Sequence, residues 1–199
     1  MKKVLLLLAE GFEIYEASVF IDVMGWNLLE GDGTTHLYSC GLQKQIKSTF
    51  GQKIEVDVTI DEVNVDDFDA LAIPGGFAEF NFYHDAYDER FLELIRKFNS
   101  KQKTIASVCT GALPIAKSGV LNSRAGTTYN RNPQRHETLR SYGVNVVNEP
   151  VVVDKNVITS WNPSTAMNVA FLLLEKLTST ENTEKIKYLM GFAENETKE

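Results

Sequence analysis

The sequence is poor in the residues that build covalent crosslinks and metal centres. Its 199 residues include only 2 cysteines, Cys40 and Cys109, and 3 histidines. Two cysteines form no disulfide framework, and without a neighbouring histidine or cysteine they do not complete a tetrahedral zinc site. We therefore expect no bound metal and a reducing, cytoplasmic compartment.

Basic residues and long apolar runs are also scarce. The chain has 20 lysines and arginines against 27 aspartates and glutamates, a formal net charge of -7 at pH 7. Without a basic stripe, nucleic acid and anionic membrane surfaces are not expected partners. The apolar run Val4–Ala9 stops at Glu10, too early for a signal-peptide core or a membrane span, and is typical of a buried parallel strand.

What the sequence does contain is an ordinary globular composition, 43% hydrophobic and 24% charged. Short apolar runs alternate with helical patterns along most of the chain, which predicts one α/β domain with a mainly parallel sheet over residues 1–178. Residues 179–199 are polar, and we expect a helix near Glu184–Met190 followed by a fraying tail.

The individual elements follow from the period of the apolar residues. Predicted strands are Val4–Ala9, Thr35–Ser39, Ala70–Ile73, Thr104–Val108, Gly126–Tyr129, Val144–Val147, Val151–Val153 and Val157–Thr159. A small hairpin is expected from Lys44–Thr49 and Lys53–Val58 about Gly51. Predicted helices are Glu16–Leu29, Asp88–Asn99, a short one ending near Gly119, Pro133–Tyr142, and one from Asn162-Pro163 to about Leu177.

Three of the predicted parallel strands are followed by unusual residues, in Glu10–Glu16, Pro74–Gly76 and Cys109–Gly111. Parallel strands end at the same edge of a sheet, and ligands bind there, near the point where strand order reverses. We therefore expect these three segments to meet.

Cys109 is the strongest candidate for chemistry. It lies between a strand and a helix, as in a nucleophile elbow, and Gly111 permits the tight turn. The helix N-terminus is expected to lower the pKa of the thiol, and the backbone amides of Thr110 and Gly76 to hold a developing oxyanion. The alternative is that Cys109 is a small buried apolar residue, as most free cysteines are.

Glu16 is the second candidate. It stands in the first turn of an otherwise apolar helix, where shielding from water would raise the pKa of its carboxyl and suit it to general acid–base work. The alternative is an N-terminal acid that interacts only with the helix dipole. Glu13 is interpreted as a surface or capping acid.

Taken together, these segments resemble the ThiJ/PfpI superfamily, and the resemblance covers residues 1–178 in order. The matching segments are Val4–Glu16, Ile21–Met24, Phe68–Gly76, Ala106–Ala112 and Thr159–Ser160. The resemblance implies a flavodoxin-like three-layer sandwich with a mainly parallel central sheet. It also implies a protein without metal or organic cofactor that is often a homodimer.

The resemblance implies roles for four residues. Cys109 corresponds to the reactive nucleophile, hydrogen-bonded to a protonated Glu16, and the main-chain amides of Gly76 and Thr110 correspond to the oxyanion site. Activities in the superfamily include cofactor-independent glyoxalase, deglycase, isocyanide hydratase and peptidase chemistry, and oxidation sensing through the cysteine.

The chain departs from the family pattern at its histidines. Peptidase-type members have a histidine directly after the nucleophile, where this chain has Thr110, and glyoxalase-like members have one where this chain has Tyr129. Peptidase activity is therefore not expected, and Tyr129 or His84 is left as a replacement for the missing histidine. Isocyanide hydratases share the threonine but carry Asp where this chain has Glu16. Expected pocket residues are Gly75, Phe77, Tyr129, Asn130 and Trp161.

Three functions remain open at this stage. The first is an enzyme that acts on a small electrophile, an aldehyde or an isocyanide, through a Cys109 thioadduct. The second is a non-enzymatic sensor of oxidative stress, or a protective protein, in which Cys109 is oxidised beside Glu16. The third is an inert relative whose pocket persists without turnover.

Overall fold

The computed structural model of the chain describes residues 1–192, so the predicted tail at 193–199 lies outside the described residues. Its strands are β1 (Lys2–Leu8), β2 (Thr35–Gly41), β3 (Gln45–Lys47), β4 (Lys53–Glu55), β5 (Val58–Thr59), β6 (Ala70–Ile73), β7 (Thr104–Ser107), β8 (Ala125–Gly126), β9 (Asn145–Val146), β10 (Val151–Asp154) and β11 (Val157–Ser160). Its α-helices are α1 (Ile14–Glu30), α2 (Phe82–Ala86), α3 (Glu89–Ser100), α4 (Ala112–Lys117), α5 (Pro133–Ser141), α6 (Ala166–Leu177) and α7 (Thr180–Leu189).

The central sheet has seven strands in the order β10-β11-β7-β6-β1-β2-β5. All neighbours are parallel except the edge strand β10, which runs antiparallel to β11. The chain builds outward from β1 to β2, then returns to place β6 and β7 on the other side of β1. The strand order therefore reverses between β1 and β6, which puts the carboxyl ends of β1, β6 and β7 together at the usual ligand position.

Helices cover both faces of the sheet, as expected for a three-layer sandwich. Alternate residues of β1 supply the two halves of the core: Leu6 packs in the cluster that includes Phe20 of α1 and Leu173 of α6. Leu7 packs in the opposite cluster, which includes Phe91 of α3. Burying side chains of this size stabilises the fold by about 1.5–3 kcal/mol each. The prediction that the first strand is apolar on both faces is confirmed.

Four local predictions differ from the structure or are refined by it. The predicted strand Gly126–Tyr129 is wrong beyond Gly126: Thr127 N–H donates instead to the Thr159 hydroxyl at 3.0 Å, which takes the chain out of strand pairing. Helix α2, which follows Asn81 in the left-handed conformation (φ 65°), was not predicted from the sequence. Helix α1 begins two residues before Glu16, and α7 begins four residues before the predicted C-terminal helix.

The predicted hairpin is present, but its second strand ends at Glu55, and Val58 belongs to β5, which pairs with β2. The hairpin strands β3 and β4 pair antiparallel on either side of Gly51. Strands β8 and β9 form a separate two-stranded parallel sheet. Within the described part of the chain, no helix is both long enough and apolar enough to cross a membrane.

A buried amide joins α7 to α1 and β2. The side chain of Asn27, inaccessible to water, donates to Thr35 Oγ1 and to Asp32 Oδ1, each at 2.9 Å. Its oxygen accepts a hydrogen bond from Asn182 Nδ2 on α7. These hydrogen bonds satisfy both polar atoms of the Asn27 amide, and a buried polar group that lacks its partner lowers the free energy of unfolding.

We expect Asn27→Ala to lower the free energy of unfolding by about 2 kcal/mol, because Thr35 and Asn182 lose their partner inside the protein. Urea unfolding followed by circular dichroism measures the change. Asn168→Ala, at an exposed position of α6, is the matched control and should change stability by less than about 0.5 kcal/mol. Equal effects of the two substitutions would contradict the role of the buried amide.

Candidate active site

Cys109 lies in a strained turn between β7 and α4. Its φ of 56° is in the left-handed region, which costs a residue with a side chain about 1–2 kcal/mol. A Cβ on Gly111 would lie 2.6 Å from the carbonyl oxygen of Ile73, so only glycine permits this approach of the turn to β6. The tight turn predicted at Gly111 is therefore present, and it directs the Cys109 side chain into a cavity.

The loop after β8 supports this turn. Thr128 Oγ1 donates to the carbonyl oxygen of Cys109 at 2.9 Å. The Thr128 carbonyl oxygen in turn lies 3.3 Å from Nε2 of His136 on α5. The segment that the sequence analysis interpreted as the end of a strand thus serves to hold the left-handed turn in place.

Glu16 is completely buried in the first turn of α1. Its Oε2 accepts a hydrogen bond from the Gly75 amide at 2.7 Å, and a Cβ on Gly75 would lie 2.8 Å from the same oxygen. Its other oxygen, Oε1, has no hydrogen-bond partner among the described residues that meets ordinary geometry. The Cys109 thiol lies next to this carboxyl, and each group shifts the pKa of the other.

Burial, with a smaller contribution from the negative charge of Glu13, raises the pKa of Glu16 to about 8. The Gly75 amide and the Cys109 thiol act in the opposite direction, because they stabilise the carboxylate. A pKa of about 8 leaves most Glu16 side chains protonated at pH 7. A raised pKa is what the sequence predicted for a carboxyl shielded from water at this position.

The thiol does not follow the sequence-based expectation. Burial is the main influence and raises the pKa of Cys109, and repulsion by Glu16 raises it further, whereas the Thr110 backbone amide lowers it. The helix behind the turn has only six residues, Ala112–Lys117, so its dipole is small against the loss of water around a side chain 7% exposed. The predicted lowering of the thiol pKa is therefore wrong.

The two predicted oxyanion amides have different hydrogen-bond partners in the structure. The Thr110 amide points to Cys109 and stabilises its thiolate. The Gly76 amide donates to Thr110 Oγ1 at 2.9 Å. The Gly76 N–H, which was predicted to bind a substrate oxygen, is therefore hydrogen-bonded to the Thr110 hydroxyl instead.

The cavity over Cys109 has a volume of about 320 Å³. Its lining residues are Glu13, Gly76, Phe77, Glu79, Cys109, Thr110, Tyr129, Asn132, Arg135 and Pro163. Of the five expected pocket residues, Phe77 and Tyr129 line the cavity. Gly75 lies behind it against Glu16, Asn130 accepts a hydrogen bond from Asn162, and the Trp161 indole N–H is buried away from the lining.

Three charged lining residues were not identified as site residues from the sequence. Glu13 stands at the N-cap position of α1 but makes no capping hydrogen bond; it lines the cavity, and burial raises its pKa. Glu79 and Arg135 come from the connection after β6 and from α5. No periodic pattern in the sequence identifies these residues. For Arg135 in particular, the packing of α5 against the rest of the fold decides which face of that helix lies toward Cys109.

None of the three histidines lines this cavity. His84 is exposed, with its Nδ1 2.9 Å from Asp85 Oδ1, and borders a different groove beside the β3–β4 hairpin. His36 stacks near Tyr38 on β2. Of the two replacements considered for the missing histidine, Tyr129 is at the cavity and His84 is not. No group of three or more potential metal ligands occurs within residues 1–192.

Comparison with known proteins places this geometry in a family. The model of the DJ-1/PfpI family matches residues 2–176. The chain is 33% identical over 161 residues to a deglycase of Pyrococcus abyssi, covering 81% of this chain and 90% of the relative. It is 33% identical over 162 residues to the deglycase PfpI of Pyrococcus furiosus, with 81% and 90% covered.

Solved structures agree with these sequence relatives. The crystal structure of Drosophila melanogaster DJ-1beta superposes with a TM-score of 0.84 at 26% identity, covering 97% of this chain and 99% of that one. DJ-1 of Schizosaccharomyces pombe has the same fold, with a TM-score of 0.80 at 22% identity over 96% of this chain and 100% of that chain. The family resemblance and the flavodoxin-like fold inferred from the sequence are confirmed: the chain belongs to the DJ-1/PfpI family.

Proposed function

We propose that the chain is a cysteine-dependent enzyme of the deglycase type, which acts on small aldehydes and their amine adducts through a thioadduct at Cys109. The observation that carries the proposal is the buried Glu16 carboxyl, protonated at neutral pH, beside a cysteine held in a left-handed turn at the base of a cavity. The relatives named deglycases support the choice of an aldehyde over an isocyanide.

In the first step the Cys109 sulfur attacks the aldehyde carbon of an α-oxoaldehyde. A C–S bond forms while the C=O π bond breaks, and its electron pair goes to oxygen. Glu16 gives its proton to that oxygen and receives the proton of the thiol, so that Glu16 ends protonated, one proton has passed from the thiol to the substrate, and no free thiolate accumulates. A low thiol pKa is therefore not needed.

The later steps need no external oxidant. The aldehyde hydrogen then moves as a proton to the neighbouring carbonyl carbon, and the hydroxyl proton of the adduct moves to the neighbouring oxygen. This isomerisation oxidises the first carbon and reduces the second, and it leaves a thioester of a 2-hydroxy acid. Water then cleaves the C–S bond. Consumption of the aldehyde draws the amine adduct toward free amine, which is the outcome expected of a deglycase.

We assign the oxygen of the adduct to the amides of Thr110 and Gly76. The Gly76 amide becomes available when the Thr110 hydroxyl rotates away from it, and two backbone donors at this position are worth several kcal/mol in the transition state. A homodimer without cofactor remains a prediction of the family resemblance, and a cytoplasmic compartment remains a prediction from the low cysteine count. Light scattering of the purified protein tests the dimer.

We expect Cys109→Ser to reduce turnover of methylglyoxal and of its N-acetyl-lysine adduct by at least about 1,000-fold, since the nucleophile is lost. Release of free amine and formation of lactate measure the activity. Cys40→Ala is the matched control, because Cys40 is buried in β2 and outside the cavity. Activity that survives Cys109→Ser would rule out the thioadduct.

A sensor gives a different outcome in the same preparation. If wild-type protein turns over neither compound, and mild peroxide adds two oxygen atoms selectively to Cys109 as measured by mass spectrometry, the enzyme proposal is wrong and the sensor is favoured. Turnover of an isocyanide without turnover of methylglyoxal would instead favour a hydratase.

Glu16→Gln is expected to reduce turnover by about 100-fold or more, because glutamine accepts the Gly75 hydrogen bond but cannot exchange a proton with the thiol. Glu149→Gln, at an exposed position between β9 and β10, is the charge-matched control and should leave turnover unchanged. Equal turnover of the two variants would contradict the assigned role of Glu16.

The raised pKa of Glu16 also predicts a pH dependence of stability. The folded-state pKa of about 8 exceeds the ordinary value of 4.5, so folding is penalised increasingly as pH rises from 4.5 through about 8. The full penalty is roughly 3–5 kcal/mol, and Glu16→Gln should remove it. Urea unfolding at pH 5 and pH 8 measures both proteins; parallel pH profiles of wild type and variant would contradict a neutral buried carboxyl.

A further inference from the structure

The cavity contains a cationic side chain that the proposed mechanism does not use. Among its lining residues, Arg135 is the only cation. We propose that Arg135 binds a carboxylate on the substrate, so that the site prefers electrophiles with a carboxylate beside the reactive carbonyl carbon, as in small 2-oxo acids. This inference rests on the proposed function in one respect, that Cys109 is the group which attacks the carbonyl.

The guanidinium of Arg135 is free to bind. No carboxylate oxygen of residues 1–192 lies within 4.0 Å of it, whereas Arg90, Arg96 and Arg140 all form ion pairs. Arg135 is half-buried at the cavity wall. An arginine that is partly removed from water and left without a carboxylate retains a planar set of donors that matches a carboxylate in a bidentate arrangement.

An aromatic platform holds this arginine in position. The guanidinium carbon of Arg135 lies 5.2 Å from the ring centroid of Tyr83, within the range of a cation–π contact. The Tyr83 ring is itself fixed by an edge-on contact with Phe82 at 5.2 Å and a tilted contact with Tyr87 at 5.0 Å. A guanidinium stacked in this way loses little further freedom when it binds an anion.

The acidic groups around the cavity oppose an anion to different degrees. Glu16 is mostly protonated at pH 7. Glu79 is exposed, where water screens its charge. Glu13 is a half-buried acid of the lining, so a carboxylate that enters the cavity depends on Arg135 for its favourable charge interaction.

Size and chemistry set the class of ligand. A volume of about 320 Å³ lies at the small end of the range for small-molecule sites. Arg135 and Cys109 line the same cavity, and we infer that one small molecule places its carboxylate at the guanidinium and its carbonyl carbon at the sulfur. Phe77 and Tyr129 provide the remaining apolar wall.

The test uses glyoxylate and its uncharged methyl ester, which carry the same aldehyde and differ in the carboxylate. Both form a hemithioacetal with a thiol: the C–S bond forms, and the carbonyl oxygen receives the thiol proton by way of Glu16. We measure the concentration of each compound that halves the rate of Cys109 alkylation by iodoacetamide, using mass spectrometry at Cys109. This readout needs no turnover.

We expect Arg135→Gln to raise the half-protecting concentration of glyoxylate by about 10–100-fold, and that of the ester by less than about 2-fold. Arg135→Lys should give an intermediate loss for glyoxylate, because the charge is kept and the bidentate fork is lost. Arg131→Gln is the matched control, since Arg131 is exposed and does not line the cavity, and should change neither value.

The platform has its own test. Tyr83→Phe keeps the ring and should retain the preference for glyoxylate, whereas Tyr83→Leu removes the ring and should weaken protection by glyoxylate about 3–10-fold. Unfolding midpoints of all variants verify that they fold. If Tyr83→Phe weakens protection by glyoxylate as much as Tyr83→Leu does, the proposed role of the Tyr83 ring in positioning Arg135 is wrong.

Two outcomes separate this inference from the proposed function. If both compounds protect Cys109 and Arg135→Gln weakens them equally, or weakens neither, carboxylate recognition is wrong while the nucleophile stands. If neither compound protects Cys109 in the wild-type protein, both the inference and the thioadduct are overturned. Methylglyoxal turnover, measured in parallel, reports on the proposed function alone.

Discussion

The site depends on one buried contact, the hydrogen bond from the Gly75 amide to the Glu16 carboxyl. It joins the first turn of α1 to the end of β6, and it fixes the carboxyl against the cysteine that follows β7. A carboxylate at this depth would be unstable without several strong donors, and the groups that stabilise it here are one backbone amide and the weakly donating thiol of Cys109. The second oxygen therefore favours a proton, and the carboxyl is neutral where most carboxyls are charged.

That neutrality governs the chemistry of Cys109. A protonated neighbour does not repel a thiolate and can donate to it, whereas an ionised one raises the pKa of the thiol further. The pair consequently behaves as a proton-exchange unit in which sulfur becomes a nucleophile when a substrate oxygen takes up the proton. The left-handed turn, held by Gly111 and by the Thr128 hydroxyl, keeps the sulfur in reach of that exchange.

The sequence predicted the elements whose signal is local. The six-residue apolar run of β1, the turn glycine after Cys109 and the Asn-Pro start before α6 each depend on near neighbours in the chain, and each is present. Predictions failed where distant contacts decide. Residues 127–129 have strand-like composition, yet hydrogen bonds to Thr159 and to the Cys109 carbonyl draw them out of the sheet.

The sequence pattern by itself predicted that three strands end at one edge of the sheet, which brings Cys109 and Glu16 together, because the alternation of strands and helices favours a parallel sheet and parallel strands end at the same edge. The sequence also indicated the family, through motifs in a fixed order. Only the tertiary structure decided the protonation of the pair and the identity of the charged lining. Desolvation depends on everything packed around a group, and the orientation of Arg135 depends on how α5 docks against Tyr83.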